Sequence, residues 1–235
     1  METLLPTTRD FKAVSLDTAL CLCIFDSNAL SQRQMEVLAD NWLTADETQT
    51  LDKRRLLTAK KEFVASRGII KLVLARHLQL DVKAINIFFD QEDTCLKACI
   101  YQQTDREMLP VQICISHSHG LVLVAMSLQS SRLGVDLEQR KPERRWLKLA
   151  RHFYHARETA RIEKEGMDTF YRIWTLKEAL AKAIKQPIAR LLSQDIQPML
   201  DPFTVISGQY RDFDISLLTD LPIEQAELTV LDSLG

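Results

Sequence analysis

The sequence predicts an α+β protein of two pseudo-symmetric halves. Each half is a small, mostly antiparallel sheet packed against a long helix, with a ligand cleft between the two. Three observations carry this reading. The elements run strand, long helix, strands, and then strand, helices, strands again. Within 56–80, Phe63, Ile70, Val73, Leu74 and Leu78 keep helical spacing, which makes one helix of unusual length. The chain has 235 residues, 46% of them apolar, enough for one large core or two small ones. The repeat in element order divides the chain near 129–132, giving an amino-terminal half 1–130 and a carboxyl-terminal half 131–235.

In chain order, the apolar run 20–25 reads as a strand, and Asp26, Ser27 and Asn28 form the turn after it. Ser31 is placed to cap a helix running to about Trp42. Gly68 interrupts the long helix at a cost of about 1 kcal/mol relative to Ala, and a glycine there permits close approach by backbone or ligand. Strands follow at 85–89, 96–101, 111–115, 121–128 and 133–138, separated by turns. Helices are predicted over 144–155, 157–165 and 169–184, the last stopped by Pro187. Strands at 203–207, 214–218 and 227–231 complete the chain.

Composition narrows the function classes. The formal net charge is −2, so no global field drives the chain toward nucleic acid or an anionic membrane. No apolar run approaches a membrane span, and 1–10 does not read as a signal peptide. Five cysteines with no C-x-x-C pair argue against a disulfide framework or a zinc ribbon, and point to a reducing, cytoplasmic setting. Local charge is uneven. Residues 53–76 hold eight bases and one acid, 201–235 hold seven acids and one base, and a second basic stretch spans 140–164.

The chemistry concentrates in three short segments: Ile115-Ser116-His117-Ser118, Gly134-Val135-Asp136-Leu137-Glu138, and Trp174-Thr175-Leu176-Lys177-Glu178-Ala179-Leu180-Ala181-Lys182. Asp136 and Glu138 stand two apart on a predicted strand, so both carboxylates point to one face and can converge on a hard cation. Glu178 is a third acid, on a predicted helix between Lys177 and Lys182. Three carboxylates beside lysines describe a divalent-metal site that handles phosphate oxygens. His117 and His119 form H-x-H without a third ligand at metal spacing, which favours phosphate over zinc at His117.

These segments, in this order and with Lys177 standing 39 positions after Glu138, resemble the three signature motifs of the 4′-phosphopantetheinyl transferases. A weaker similarity covers 62–76 and His152-Phe153-Tyr154 with Glu158. Chain length resembles the monomeric, two-half, surfactin-synthetase-activating type. Lys185-Gln186-Pro187-Ile188 departs from the glycines many members carry after the last motif. The resemblance implies transfer of the phosphopantetheine arm of coenzyme A to a serine of an acidic acyl or peptidyl carrier protein, with release of 3′,5′-adenosine bisphosphate. It implies magnesium, for which manganese can substitute, held by Asp136, Glu138 and Glu178. Glu178 would be the base beside Asp136, and Lys177 and Lys182 would contact coenzyme A phosphates. Ser116, His117 and Arg67 would hold the nucleotide end, with Lys97 as a further contact.

Two rivals remain on sequence grounds. Asp136, Glu138 and Arg140 loosely suggest a metal-dependent nuclease, although its first acid normally comes from a separate strand. The bases of 53–76 suggest a non-enzymatic nucleic-acid-binding module, against which stand the near-zero net charge and the lack of an aromatic-rich basic stripe.

Overall fold

The computed structural model describes residues 2–9, 16, 19–102 and 105–234, and they form an α+β fold. The strands are β1 (Glu2–Arg9), β2 (Cys21–Asp26), β3 (Ile85–Asp90), β4 (Cys95–Gln102), β5 (Asp105–Met108), β6 (Gln112–Ser118), β7 (Leu121–Ser127), β8 (Leu133–Gln139), β9 (Thr204–Tyr210), β10 (Phe213–Thr219) and β11 (Gln225–Leu231). The helices are α1 (Gln32–Trp42), α2 (Ala45–Asp52), α3 (Leu57–Leu78), α4 (Trp146–Phe153), α5 (Ala156–Glu165) and α6 (Met167–Ala183).

Three of these elements are additions to the sequence reading. Helix α2 carries its own start signal: the Thr44 hydroxyl accepts from the Glu47 N–H, and the Glu47 carboxylate accepts from the Thr44 N–H. Strand β1 contains Pro6, which pattern reading demotes because proline cannot donate to a ladder. Strand β5 is exposed at every position, so no apolar alternation announces it.

The strands are hydrogen-bonded in the order β3-β4-β6-β7-β2-β11-β1-β9-β10-β8, with β5 on β4. The two expected sheets are therefore joined, through the parallel pairs β2–β11, β11–β1 and β1–β9. The path doubles back on itself and builds four layers. Helix α3 covers one face of the first half through Ile69, Ile70, Val73 and Leu74, which meet Val122, Val124 and Met126 of β7. The alternate residues Leu121, Leu123 and Ala125 face the second half and pack with Val135, Leu137, Ile215 and Leu217. Buried on both faces, β7 reads as a continuous apolar run. Helix α6 covers the outer face of β8 and β10.

Two glycines make these layers possible. A Cβ on Gly68 would lie 2.2 Å from the Trp42 ring, so the mid-helix glycine admits a side chain from α1. A Cβ on Gly134 would lie 1.9 Å from the Ala179 carbonyl oxygen, so only glycine lets β8 touch the backbone of α6. Among the described residues, no helix is long and apolar enough to cross a membrane.

Candidate active site

Alternation along β8 turns Val135 and Leu137 into the core and Asp136 and Glu138 toward α6. Gly134 brings that helix close, so Glu178 enters the same electrostatic neighbourhood. Burial, and then the negative charges of Asp136 and Glu138, raise the Glu178 carboxyl above its ordinary range, with Lys182 opposing. Lys182 Nζ donates to the Val135 carbonyl at 2.8 Å and to Asp136 Oδ1 at 2.9 Å. Burial works against the Lys182 charge, but Asp136 and Glu178 outweigh it and raise its pKa.

Strand β8 ends the hydrogen-bonded path, and its free edge is covered by β6. Leu137 N–H donates to Ser116 Oγ at 3.3 Å and Val135 N–H to Cys114 Sγ at 3.3 Å. The Ser116 hydroxyl in turn donates to Asp136 Oδ1 at 2.8 Å. The next residue, His117, points the other way, toward α3. Its Nδ1 lies 3.1 Å from Glu62 Oε2, and it remains half exposed. Glu62 Oε1 accepts from the Gly120 N–H at 2.8 Å. Burial would raise the Glu62 carboxyl, yet the bonds from His117 and Gly120 hold it below the usual range.

A cavity of about 690 Å³ opens beside Lys182. Arg67 enters it from α3, Phe88 and Phe89 from β3, and Lys185 from the segment after α6. Arg67 is only 6% exposed, and its Nε and Nη1 find no hydrogen-bond partner among the described residues. Its guanidinium lies 4.6 Å from the centre of the Phe63 ring. Burial lowers its pKa to about 10, still charged at neutral pH. A buried cation with idle donors facing a cavity is a receptor for an anion.

Several expected contacts stand elsewhere. Lys177 is fully buried: Nζ lies 2.8 Å from Glu158 Oε2 and donates to the carbonyls of Leu191 and Gln194 at 2.9 and 2.7 Å. It anchors α6 instead of lining the cavity. Ser116 is buried against Asp136 and so orients that acid rather than a nucleotide phosphate. Lys97 pairs with Asp90 at 2.8 Å and with Asp93, not with the cavity. The metal set is likewise not assembled as the side chains stand. Asp136 is held by Lys182 and Ser116, Glu138 Oε1 pairs with Arg144 at 2.8 Å, and no group of three His, Cys, Asp or Glu residues is poised for an ion among the described residues.

The rival readings lose their residues too. Arg140 grips Asp214 through two nitrogens and Asp168 through a third, so it does not join Asp136 and Glu138. In the basic stretch, Lys71 is buried on Glu47 at 2.7 Å, Arg67 is buried in the cavity wall, and Arg54 sits over the Phe63 ring.

Comparison with known proteins bears on the same segments. The family model of the 4′-phosphopantetheinyl transferase superfamily matches residues 132–223, which contain β8 and α6. The chain is 25% identical over 175 residues to the 4′-phosphopantetheinyl transferase HetI of Nostoc sp., covering 73% of this chain and 70% of HetI. It is 27% identical to a putative 4′-phosphopantetheinyl transferase, slr0495, of Synechocystis sp., covering 66% and 61% of the two chains. It is 32% identical to the 4′-phosphopantetheinyl transferase Sfp of Bacillus subtilis, covering 48% and 47%. The matched segment carries the acids of β8, the glycine that docks them on α6, and the helix with Glu178 and Lys182, and over it the chain is similar to the 4′-phosphopantetheinyl transferase superfamily.

Proposed function

We propose that this chain is a magnesium-dependent 4′-phosphopantetheinyl transferase that converts apo to holo carrier protein. The single observation that carries the reading is the meeting of β8 and α6, where three carboxylates share one neighbourhood with Lys182. Asp136, Glu138 and Glu178 are oxygen donors of the kind a hard dication takes, and they would hold magnesium once Lys182 and Arg144 release them. When bound, the ion neutralises charge that builds on the pyrophosphate. Lys182 then turns its charge to a phosphate oxygen. Arg67 and His117 hold the nucleotide end of coenzyme A, the first from the cavity wall and the second from the half-exposed end of β6. Residues 1–130 thus contribute most of the coenzyme A contacts, and 131–235 contribute the metal site and the catalytic helix.

The carrier serine attacks the phosphorus that bears the pantetheine arm. The bond to 3′,5′-adenosine bisphosphate breaks, and the serine proton passes to Glu178, directly or through a water. A base raised by burial lies nearer neutrality and is better matched to that proton. The chain works as a monomer on an acidic acyl or peptidyl carrier, in a reducing cytoplasm that suits its five free thiols.

The test is to incubate the protein with coenzyme A, a carrier panel, and either magnesium or chelator, and then weigh the carriers. A carrier gains the mass of the arm only with the metal. Asp136→Ala and Glu178→Ala keep the fold and lower turnover by orders of magnitude. Wild-type turnover in either variant removes that residue from the site.

A further inference from the structure

Glu62 lies on α3, only 7% exposed, and both of its oxygens are taken. Oε2 stands 3.1 Å from His117 Nδ1, and Oε1 accepts from the Gly120 N–H at 2.8 Å. Burial would raise the carboxyl, but the bonds from His117 and Gly120 outweigh it and keep the group ionised. The turn that holds Gly120 does not need that charge. The Gly120 carbonyl accepts from the Ser27 N–H at 2.8 Å and the Ser27 hydroxyl at 2.7 Å, and Asn28 Nδ2 donates to the His119 carbonyl at 2.9 Å. A neutral glutamine oxygen would serve the Gly120 N–H and would spare the cost of burying an anion. The carboxylate therefore answers to its other neighbour, His117.

An ionised carboxylate only accepts, so the ring nitrogen that faces it carries a proton. His117 Nδ1–H then donates inward to Glu62, and this bond fixes which way the ring is turned. The side chain of His117 is 52% exposed, and its Nε2 has no hydrogen-bond partner among the described residues. A protonated ring donates at both nitrogens, so with Nδ1 held on Glu62 it offers Nε2–H outward to an anion. One carboxylate on a long helix thus sets where the outward donor of β6 stands.

We propose that Glu62 is a positioning residue for the 3′-phosphate of coenzyme A: it accepts the Nδ1–H of His117, holds Nε2 outward, and so gives the end of β6 its preference for coenzyme A over dephospho-coenzyme A. The proposal rests on the transferase reading and on His117 as the phosphate contact, and it adds a residue that touches neither substrate nor metal.

The experiment uses the full chain as wild type, Glu62→Gln, His117→Ala and the double variant. Calorimetry measures the affinity of each for coenzyme A and for dephospho-coenzyme A. Glutamine can keep the Gly120 bond, but it faces His117 Nδ1 with an amide N–H, so a protonated ring loses its inward acceptor. The expected result for Glu62→Gln is coenzyme A affinity down by about fivefold to tenfold, the weakening of one charge-assisted contact, with dephospho-coenzyme A affinity within about twofold of wild type. Adding Glu62→Gln to His117→Ala should lower the preference no further, because the first acts through the second. Nitrogen-15 NMR of the wild type reads the ring itself and should show His117 Nδ1 protonated. A bare Nδ1 overturns the proposal. Equal preference in wild type and Glu62→Gln overturns it, as does an equal loss of affinity for both nucleotides or a further loss of preference in the double variant, since Glu62 would then serve the fold. A wild type that modifies no carrier and binds neither nucleotide overturns the transferase reading with it, whereas an active wild type that prefers coenzyme A and is matched by Glu62→Gln overturns this inference alone.

Discussion

Lys177 and Lys182 stand five positions apart on one helix and have different tasks. Lys182 reaches past the edge of β8 to Asp136, on the wall of the cavity. Lys177 turns into the protein, where Glu158 and two carbonyls use its ammonium. Both were legible as cations, but which side of the helix faced the cavity depended on packing that no single residue announces. The structure therefore separates two substitutions. Lys177→Ala strands the buried Glu158 carboxylate and should cost about 3–5 kcal/mol of stability, read as a lowered Tm, with the KM for coenzyme A little changed in the folded fraction. Lys182→Ala strands the buried Asp136 and should lower Tm as well, but it should also raise that KM, which sets it apart from Lys177→Ala. The nucleotide end gives a second contrast. If His117 holds the 3′-phosphate, His117→Ala should shrink the preference for coenzyme A over dephospho-coenzyme A by about tenfold or more, the worth of one charge-assisted contact. An unchanged preference would move the 3′-phosphate to Arg67, whose idle nitrogens can take it.

At the level of the element, Gly134 decides whether β8 and α6 can form one site. The residue was visible as the first letter of a motif, but its purpose was not, since the atom it avoids belongs to Ala179 on a helix far along the chain. Gly134→Ala forces Cβ against backbone, which cannot rotate away. The expected cost is about 1–3 kcal/mol, with turnover falling further than stability because Glu178 is carried outward with the helix. A melt and a turnover measurement on the same sample test this. Most elements that bury an apolar face were readable, because periods of two and 3.6 follow from the backbone itself. Helix α2 was readable in principle, through Thr44 and Glu47 at capping-box spacing. The partners of Ser116 and Lys97 were not, because each is engaged by a group that only tertiary contact brings near: Asp136 and Leu137 for Ser116, and Asp90 and Asp93 for Lys97.

Across the whole molecule, charge is spent unevenly. In the acidic carboxyl-terminal segment, Asp214 is neutralised by Arg140, and Asp220 accepts from Ser130 and Ser131. In the basic stretch 140–164, Arg144 serves Glu138, Arg151 serves Glu163, Arg157 serves Asp195 and Arg161 serves Glu165. Arg145 and Lys148 are exposed and have no ion pair among the described residues. They sit at the start of α4, whose far end exposes Phe153 at 41%. Two uncommitted cations and an apolar side chain on one short helix suit an acidic partner helix. The helix follows β8 directly, so a carrier docked there could bring its serine to Glu178. Charges at an interface rim mainly set the association rate and its salt dependence. Reversal at Arg145 or Lys148 to Glu should therefore lower kcat/KM for the carrier several-fold at low salt, flatten the decline with added salt, and leave the KM for coenzyme A unchanged. Arg144 is unsuitable for this test, because its loss would also disturb Glu138. A salt titration of the transfer rate, run on wild type and both reversals, is the measurement. Parallel curves in all three would place the carrier on another face and leave the metal site as it stands.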